Sequence, residues 1–316
     1  MLSRPDFIEK QIVVLMVDQR KLAVKNDNLV VYENKKIVDQ LPCAKIFCVY
    51  VIGDCTITTK IIAKLLRYQI SVYLLTEFLF PRCVIGSQLE GNYILREKQY
   101  KNEDVLSFAK QLVKNKIANQ KLIKELRDKD EQQKEAIKKI AELHESISDV
   151  EAVDSLRGLE GNASKLFFSA YFKEIGRHRR APRTKEDILN LLLDIGYSYL
   201  YRFIESNLNL YGFDIYKGFY HTLFFERKSL VCDLVEPWRC IMEKKIRKMY
   251  NLQVNPKDFN FSQEYAIKDR EKKRHYSKMF FEEIIKYKLD IFDYIKIYYQ
   301  MWMKDRATLP TFYIDQ

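Results

Sequence analysis

Between Ser107 and Ser146 the chain carries neither glycine nor proline. Lysines and glutamates alternate there around apolar positions at Leu112, Ile117, Leu122, Leu126, Ile137, Ile140 and Leu143. A stretch without helix breakers, and with apolar residues recurring near the helical period, is expected to form one long amphipathic helix or a pair of them. Its charges read as a solvated face. The residues before it have a different period. Short alternating or β-branched runs fall at 12–17, 29–32, 46–51 and 70–75, with turn material at 25–28, 33–36 and 53–54. One helix, 58–67, interrupts them, with Ile61, Ile62, Leu65 and Leu66 on one side. Further helices are expected at 163–175, 185–207, 237–250 and 276–305. The expected fold class is α+β. A small, sandwich-like β-rich domain (1–90) leads through a junction (91–100) into a larger all-α domain (101–316).

The formal net charge of +11 over 316 residues favours an anionic partner, nucleic acid before a membrane surface. The first ten residues are charged, and the apolar run 12–17 is far too short to cross a bilayer, so no secretory or membrane-spanning segment is expected. The expected location is the cytoplasm. The six cysteines form no CxxC pair and read as small core residues. No GxxxxGK[ST] or GxGxxG loop occurs, which argues against ATP or a dinucleotide, and no HExxH or GxSxG supports zinc-protease or serine-esterase chemistry. Carboxylates, histidine and basic residues remain as the chemical resources.

Three fragments stand out. In Arg157-Gly158-Leu159-Glu160-Gly161 an acid sits between two glycines ahead of a helical run, so Glu160 is expected near a helix start. In Gly218-Phe219-Tyr220-His221 a histidine lies in a glycine-marked aromatic turn. In Asp233-Leu234-Val235-Glu236-Pro237 two acids three apart can share a helix face, or form a capping box with Asp233 as N-cap and Glu236 three residues on. Each fragment alone has an ordinary structural reading. Together, two or three carboxylates and a neutral imidazole make a hard, open site for magnesium or manganese (Mg2+ or Mn2+), suited to phosphoryl chemistry.

In this order and with these neighbours the fragments resemble the CRISPR-associated integrase and endonuclease family Cas1, over nearly the whole chain. The resemblance is carried by Arg157 to Gly161 and by Arg179, Arg180, Pro182, Asp187, Asn190 and Tyr197. It continues through Gly218 to His221, and then Ser229, Leu230, Asp233, Leu234, Glu236 and Arg239. Gly53, Asn92, Arg96, Gln99 and Tyr100 fit it in the first half. Trp238 and Cys240 depart from it, at positions where the family more often has phenylalanine and proline.

The resemblance implies that Glu160, His221 and Glu236 are the catalytic metal ligands, with Asp233 as a supporting acid. It implies a homodimer, with dimerisation through the β-rich domain. Two such dimers flank a dimer of the small companion Cas2. It also implies double-stranded DNA as substrate: the 3′-hydroxyl ends of a prespacer duplex attack phosphodiesters beside the leader of a CRISPR repeat array. The same site cuts DNA when water is the nucleophile. Transesterification needs no ATP, which agrees with the missing phosphate loop.

Basic residues bracket the proposed site. Residues 173–185 hold six basic side chains against one acid, and 242–278 hold eleven against five. Arg157, Arg177, Arg179, Arg180, Arg183, Lys228, Arg239, Lys244, Lys245, Arg247 and Lys248 are the candidate DNA contacts, of a kind that binds phosphates without reading sequence. Asn190, Tyr197 and Tyr220 are candidates to line the site, the tyrosines by stacking on a splayed base.

Overall fold

The computed structural model describes residues 2–17, 20–86, 92–175 and 179–314. After a short helix α1 (Arg4–Ile8), the chain forms β1 (Gln11–Met16), β2 (Arg20–Lys25), β3 (Asn28–Glu33), β4 (Lys36–Pro42) and β5 (Ile46–Ile52). Helix α2 (Thr59–Arg67), β6 (Ser71–Leu75) and β7 (Pro81–Ile85) follow. Strands β2, β3 and β4 make an antiparallel meander. Its two turns place Asn26, Asp27, Asn34 and Lys35 at positive φ, the geometry that lets a tight hairpin follow the strand twist. The other sheet has the order β1-β5-β6-β7, with β1 and β6 both parallel to β5.

The β unit is therefore two layered sheets, as expected, and the larger one is mixed, with parallel and antiparallel neighbours. Parallel neighbours need a crossover, and α2 supplies it between β5 and β6, with the Thr58 side chain capping its first turn. Strand β5 is buried at every position. Ile46, Val49 and Val51 face the meander and α2, packing with Leu22, Leu29, Val31 and Leu65. Cys48, Tyr50 and Ile52 face the helices. A strand covered on both faces has no polar side, which is why its sequence is a continuous apolar run.

The rest of the described chain is mainly helical: α3 (Tyr93–Lys101), α4 (Val105–Asn119), α5 (Glu131–Ser146), α6 (Val153–Tyr171), α7 (Ile188–Asn209), α8 (Ser229–Val235), α9 (Arg239–Leu252), α10 (Arg270–Lys286) and α11 (Lys288–Met303). The stretch without glycine or proline is thus a pair of helices, α4 and α5, joined by a 3-10 turn at Gln120–Glu125. A small hairpin, β8 (Phe259–Phe261) and β9 (Tyr265–Ile267), comes before α10. Helix α7 runs through the middle and is nearly all buried. Aromatic rings join the two halves: Tyr50 meets Phe281 at 4.8 Å, Phe47 meets Phe203 at 5.5 Å, and Tyr73 shares a 2.6 Å hydrogen bond with Ser206. No helix among the described residues is long and apolar enough to cross a membrane.

Candidate active site

The turn that carries His221 is fixed from several sides. Helix α3 begins at the Asn92 cap and binds the segment ahead of that turn. Asn92 Nδ2 donates to Tyr211 O at 3.3 Å and Arg96 Nε to Gly212 O at 3.1 Å. Gln99 both donates to Asp214 O and accepts from Asp214 N, and the Tyr100 hydroxyl donates to the Asp214 carboxylate at 2.5 Å. The four residues singled out at the junction thus act together on one loop. From the other side, Arg157 donates to Tyr220 O at 2.7 Å and lies 5.9 Å above the Tyr220 ring.

Asp233 organises the turn itself. It is fully buried inside α8, and its carboxylate accepts from the backbone N–H groups of Phe219, Tyr220 and His221 at 2.7, 3.1 and 2.8 Å. It also faces His221 Nδ1 at 2.8 Å. The capping-box reading of Asp233 and Glu236 is therefore corrected. Helix α8 already starts at Ser229, and the Asp233 side chain is occupied by a loop twelve or more residues earlier rather than by its own helix. Gly218 is needed here for space, because a Cβ would come within 2.5 Å of Asp233 Oδ2 and 2.8 Å of the Ser229 backbone.

A carboxylate can only accept, so in the neutral form of His221 the proton belongs on Nδ1, against Asp233, and Nε2 is the electron-donating nitrogen. Nε2 points toward Glu236 Oε1, 3.7 Å away. Glu236 begins a short 3-10 turn between α8 and α9 and is 3% exposed. Arg239 approaches its Oε1 at 2.9 Å, and the Lys116 ammonium approaches its Oε2 at 2.5 Å. Burial alone would raise the Glu236 pKa, but the fixed charges of Arg239 and Lys116 outweigh it and hold it down to about 2.

Glu160 completes the group. It lies two turns inside α6, which starts at Val153, so the expectation of a position near a helix start is corrected. The helix runs straight through Gly158 and Gly161, and a Cβ at either would meet nothing within 4 Å. Glu160 Oε1 pairs with the same Lys116 ammonium and accepts from Ser164 Oγ at 2.9 Å. Burial opposes ionisation of Glu160 too, and Lys116 again wins, so its pKa is lowered. Two carboxylates, from α6 and the α8–α9 junction, thus share the Lys116 ammonium, and the imidazole of the His221 turn stands against the other oxygen of Glu236.

Lys116 is a site residue that the sequence pattern does not mark. It sits on α4 among charges read as a solvated face, yet it lies three and four residues after buried Val113 and Leu112, on the inward side. Its helix is held by the last described segment. Asn115 exchanges two hydrogen bonds with Phe312, and Asn119 accepts from Ile314 N and donates to Phe312 O and Pro237 O. Trp238, one of the two departures from the family pattern, stacks on Phe312 at 3.8 Å. The other, Cys240, donates back to Pro237 O.

The candidate DNA contacts divide. Lys228 is paired with the buried Glu205 at 2.5 Å and is 14% exposed, so its charge is committed inside the fold, a correction to its reading as a phosphate contact. Arg247, paired with Glu174 at 2.6 Å and bound to Tyr171 O, is corrected likewise. Arg180 binds Asp194 and Asn190 Oδ1 and lies 5.6 Å over Tyr197. Lys244 pairs with Glu125 at 2.9 Å, and Lys245 stands 3.9 Å from Glu283. Arg179, 77% exposed, has Glu186 at 3.7 Å, while Arg183 and Lys248 are exposed. Arg177 lies outside the described residues.

Asn190 is fully buried and caps the turn at Ala181 rather than lining the site. Tyr220 is 4% exposed, which corrects its reading as a base-stacking residue. Tyr197 lies 4.9 Å from the Arg239 guanidinium and donates to Glu243 at 2.7 Å, one shell behind Glu236.

The donor types suit a hard divalent cation: carboxylate oxygens, two of which already share a positive charge, and one imidazole nitrogen. Among the described residues no group of three or more His, Cys, Asp or Glu side chains is arranged to hold a metal ion as it stands. Lys116 is the side chain that stands between them.

The fold and the site together define an α+β protein with an acidic, cation-holding centre in its helical half. The model of the family CRISPR associated protein Cas1 matches residues 13–282. A CRISPR-associated endonuclease Cas1 of Thermodesulfovibrio yellowstonii is 32% identical over 251 residues, covering 75% of this chain and 79% of that one. Among solved structures, a chain of a Cas6-RT-Cas1–Cas2 complex has a TM-score of 0.85 at 20% identity, covering 98% of this chain and 36% of that longer one. A casposase bound to integration product has a TM-score of 0.80 at 17% identity, covering 97% and 95%. The chain belongs to the CRISPR-associated Cas1 family.

Proposed function

We propose that this chain is a metal-dependent DNA integrase and endonuclease of CRISPR adaptation, working in the cytoplasm on double-stranded DNA. The observation that carries the reading is the gathering of Glu160, Glu236 and His221 from three separate elements: the two carboxylates share the Lys116 ammonium, and His221 Nε2 faces the other oxygen of Glu236. The relatives' names supply the context: one is an endonuclease, one is a casposase bound to integration product, and one belongs to a complex with Cas2.

Glu160, Glu236 and His221 Nε2 would hold Mg2+ or Mn2+, which polarises a phosphodiester and stabilises the oxygens that attack and leave. The chain's own residues prepare that site. Asp233 fixes the His221 tautomer, and Arg157 fixes the backbone of the turn. Lys116 keeps both glutamates ionised, and Arg239 adds its charge at Glu236. In joining, the prespacer 3′-oxygen bonds to phosphorus and the bond from phosphorus to the displaced 3′-oxygen breaks, so one phosphodiester replaces another. In cutting, water takes the place of the 3′-hydroxyl. No side chain has to become a nucleophile.

Gly158 and Gly161 support an approach of DNA along α6. Glycine inside a helix costs about 1 kcal/mol against alanine, and no neighbour here explains either one. Arg179, Arg183 and Lys248, being exposed, are the cations best suited to phosphates. A homodimer flanking a Cas2 dimer is the assembly this reading takes.

The test mixes the protein with its Cas2, a short prespacer duplex and a supercoiled plasmid bearing leader and repeat. Joining should require Mn2+ or Mg2+ and be lost in Glu160→Ala, His221→Ala and Glu236→Ala. Joining that survives all three substitutions would overturn the site. Cutting without joining, lost in the same variants, would make the protein a stand-alone nuclease.

A further inference from the structure

Lys116 keeps the two glutamates ionised, but it also occupies the space between them. Its ammonium pairs with Glu160 Oε1 and stands 2.5 Å from Glu236 Oε2, and its side chain is 13% exposed. Glu236 Oε2 is buried, and the Lys116 ammonium is the group that offsets its burial. The other oxygen of Glu236 faces Arg239 and His221. The oxygens through which Glu160 and Glu236 could share one cation are therefore the two that Lys116 already holds.

We propose that Lys116 is a built-in, displaceable counter-cation, which holds Glu160 and Glu236 together until a divalent metal takes its place. The inference rests on the metal-site reading above. Two buried carboxylates this close to a common point repel each other and are costly to bury without a cation. A lysine ammonium supplies that charge from a flexible four-carbon stem, which can swing away while helix α4 stays fixed. A metal and an ammonium cannot both sit between the same two oxygens, because like charges a few ångströms apart repel strongly in so dry a place. Metal affinity is then set by competition, and Lys116 weakens it. The anchors on either side of Lys116 suit this role. Asn115 and Asn119 fasten α4 to residues 312–314 and to Pro237 O, so the side chain and not the helix is the movable part.

The experiment titrates Mn2+ into the full chain by calorimetry, for wild type, Lys116→Met and Glu236→Gln, and records melting temperatures in chelator and in Mn2+. Lys116→Met should bind Mn2+ at least about tenfold more tightly than wild type, as expected when a competing buried ion pair is removed. It should also melt lower in chelator and recover more on adding metal. Glu236→Gln should lose the binding. Equal or weaker binding by Lys116→Met, with binding still lost in Glu236→Gln, would overturn the role of Lys116 and leave the metal site standing. No Mn2+ binding by either wild type or Lys116→Met would overturn both.

A second measurement needs no substitution. Wild type is labelled with an amine-acylating reagent, with and without Mn2+, and Lys116 is followed by mass spectrometry. Its labelling should rise several-fold with metal as the ammonium is released. Labelling that stays constant or falls would overturn the proposal.

Discussion

The buried charges around Glu205 and those around Glu236, both in the helical half, are built differently. In one, Glu205 is 1% exposed, and each of its oxygens has its own cation: Lys228 at 2.5 Å and Arg202 at 2.8 Å. In the other, Glu160 and Glu236 share one ammonium, and the side chains of Glu160 and His221 remain 19% and 27% exposed. The first cluster is closed and saturated. The second is open on one side, and its carboxylates outnumber the cations placed directly between them. Saturated ion pairs belong to the architecture, and shared ones leave room for a further ligand.

The largest expected effects separate the two clusters. Glu236→Gln should lower DNA joining by at least about a hundredfold, the scale on which loss of charge stabilisation at a reacting centre acts. Glu205→Gln should instead cost roughly 3–5 kcal/mol of stability, by leaving Arg202 and Lys228 without a counter-charge, while activity per folded molecule is retained. Denaturant melts beside joining assays check both. If Glu205→Gln abolished joining in fully folded protein, the contrast between the clusters would fail.

Next in size is Gly218→Ala. The added Cβ would press on Asp233 Oδ2 and the Ser229 backbone, for a cost of about 1–3 kcal/mol, as in other overpacked sites. Joining should fall as well, because Asp233 orients His221.

Acid should act on the open cluster in a defined window. The folded pKa of Glu236 lies below its ordinary value of 4.5, so its ionised form stabilises the fold above that pH. The stabilisation should be lost as the pH falls from 4.5 toward about 2. Urea denaturation from pH 6 down to about 2.5 should show stability declining through this range. The decline should be visibly shallower in Glu236→Gln, and an unchanged slope would mean that Glu236 is not held ionised.

The smallest effect is of opposite sign. Gly158→Ala and Gly161→Ala should each stabilise the protein by about 1 kcal/mol, since both sit in α6 with open space around them. The same changes should weaken joining if DNA lies along that face. Joining at the wild-type level in both would place the DNA elsewhere.

The contrast between clusters also explains what the sequence could reveal. The residues around His221 and Glu236 were legible because their neighbours in the chain, Gly218 and Asp233, are also their neighbours in space or bind them directly. The junction residues Asn92, Arg96, Gln99 and Tyr100 were legible as a pattern, although their common target, the segment ahead of Gly218, was not. Lys116 and Lys228 were misread because their partners lie far along the chain, at Glu160, Glu236 and Glu205. A net-charge count cannot see such pairing, and it treats a buried lysine and an exposed one alike. In the β unit, β4 escaped notice because its residues are mostly exposed and carry no apolar alternation. The parallel pairing around β5 was hidden because strand partners are long-range, even though α2 was expected in place.

The most direct test of the account is crystallographic, on the full chain grown with Mn2+ and measured at a wavelength where manganese scatters anomalously. The account predicts one strong anomalous peak bonded to the Glu160 and Glu236 carboxylates and to His221 Nε2, with Lys116 turned away from both glutamates. A peak elsewhere, or none at saturating Mn2+ with Lys116 still between the two glutamates, would contradict it.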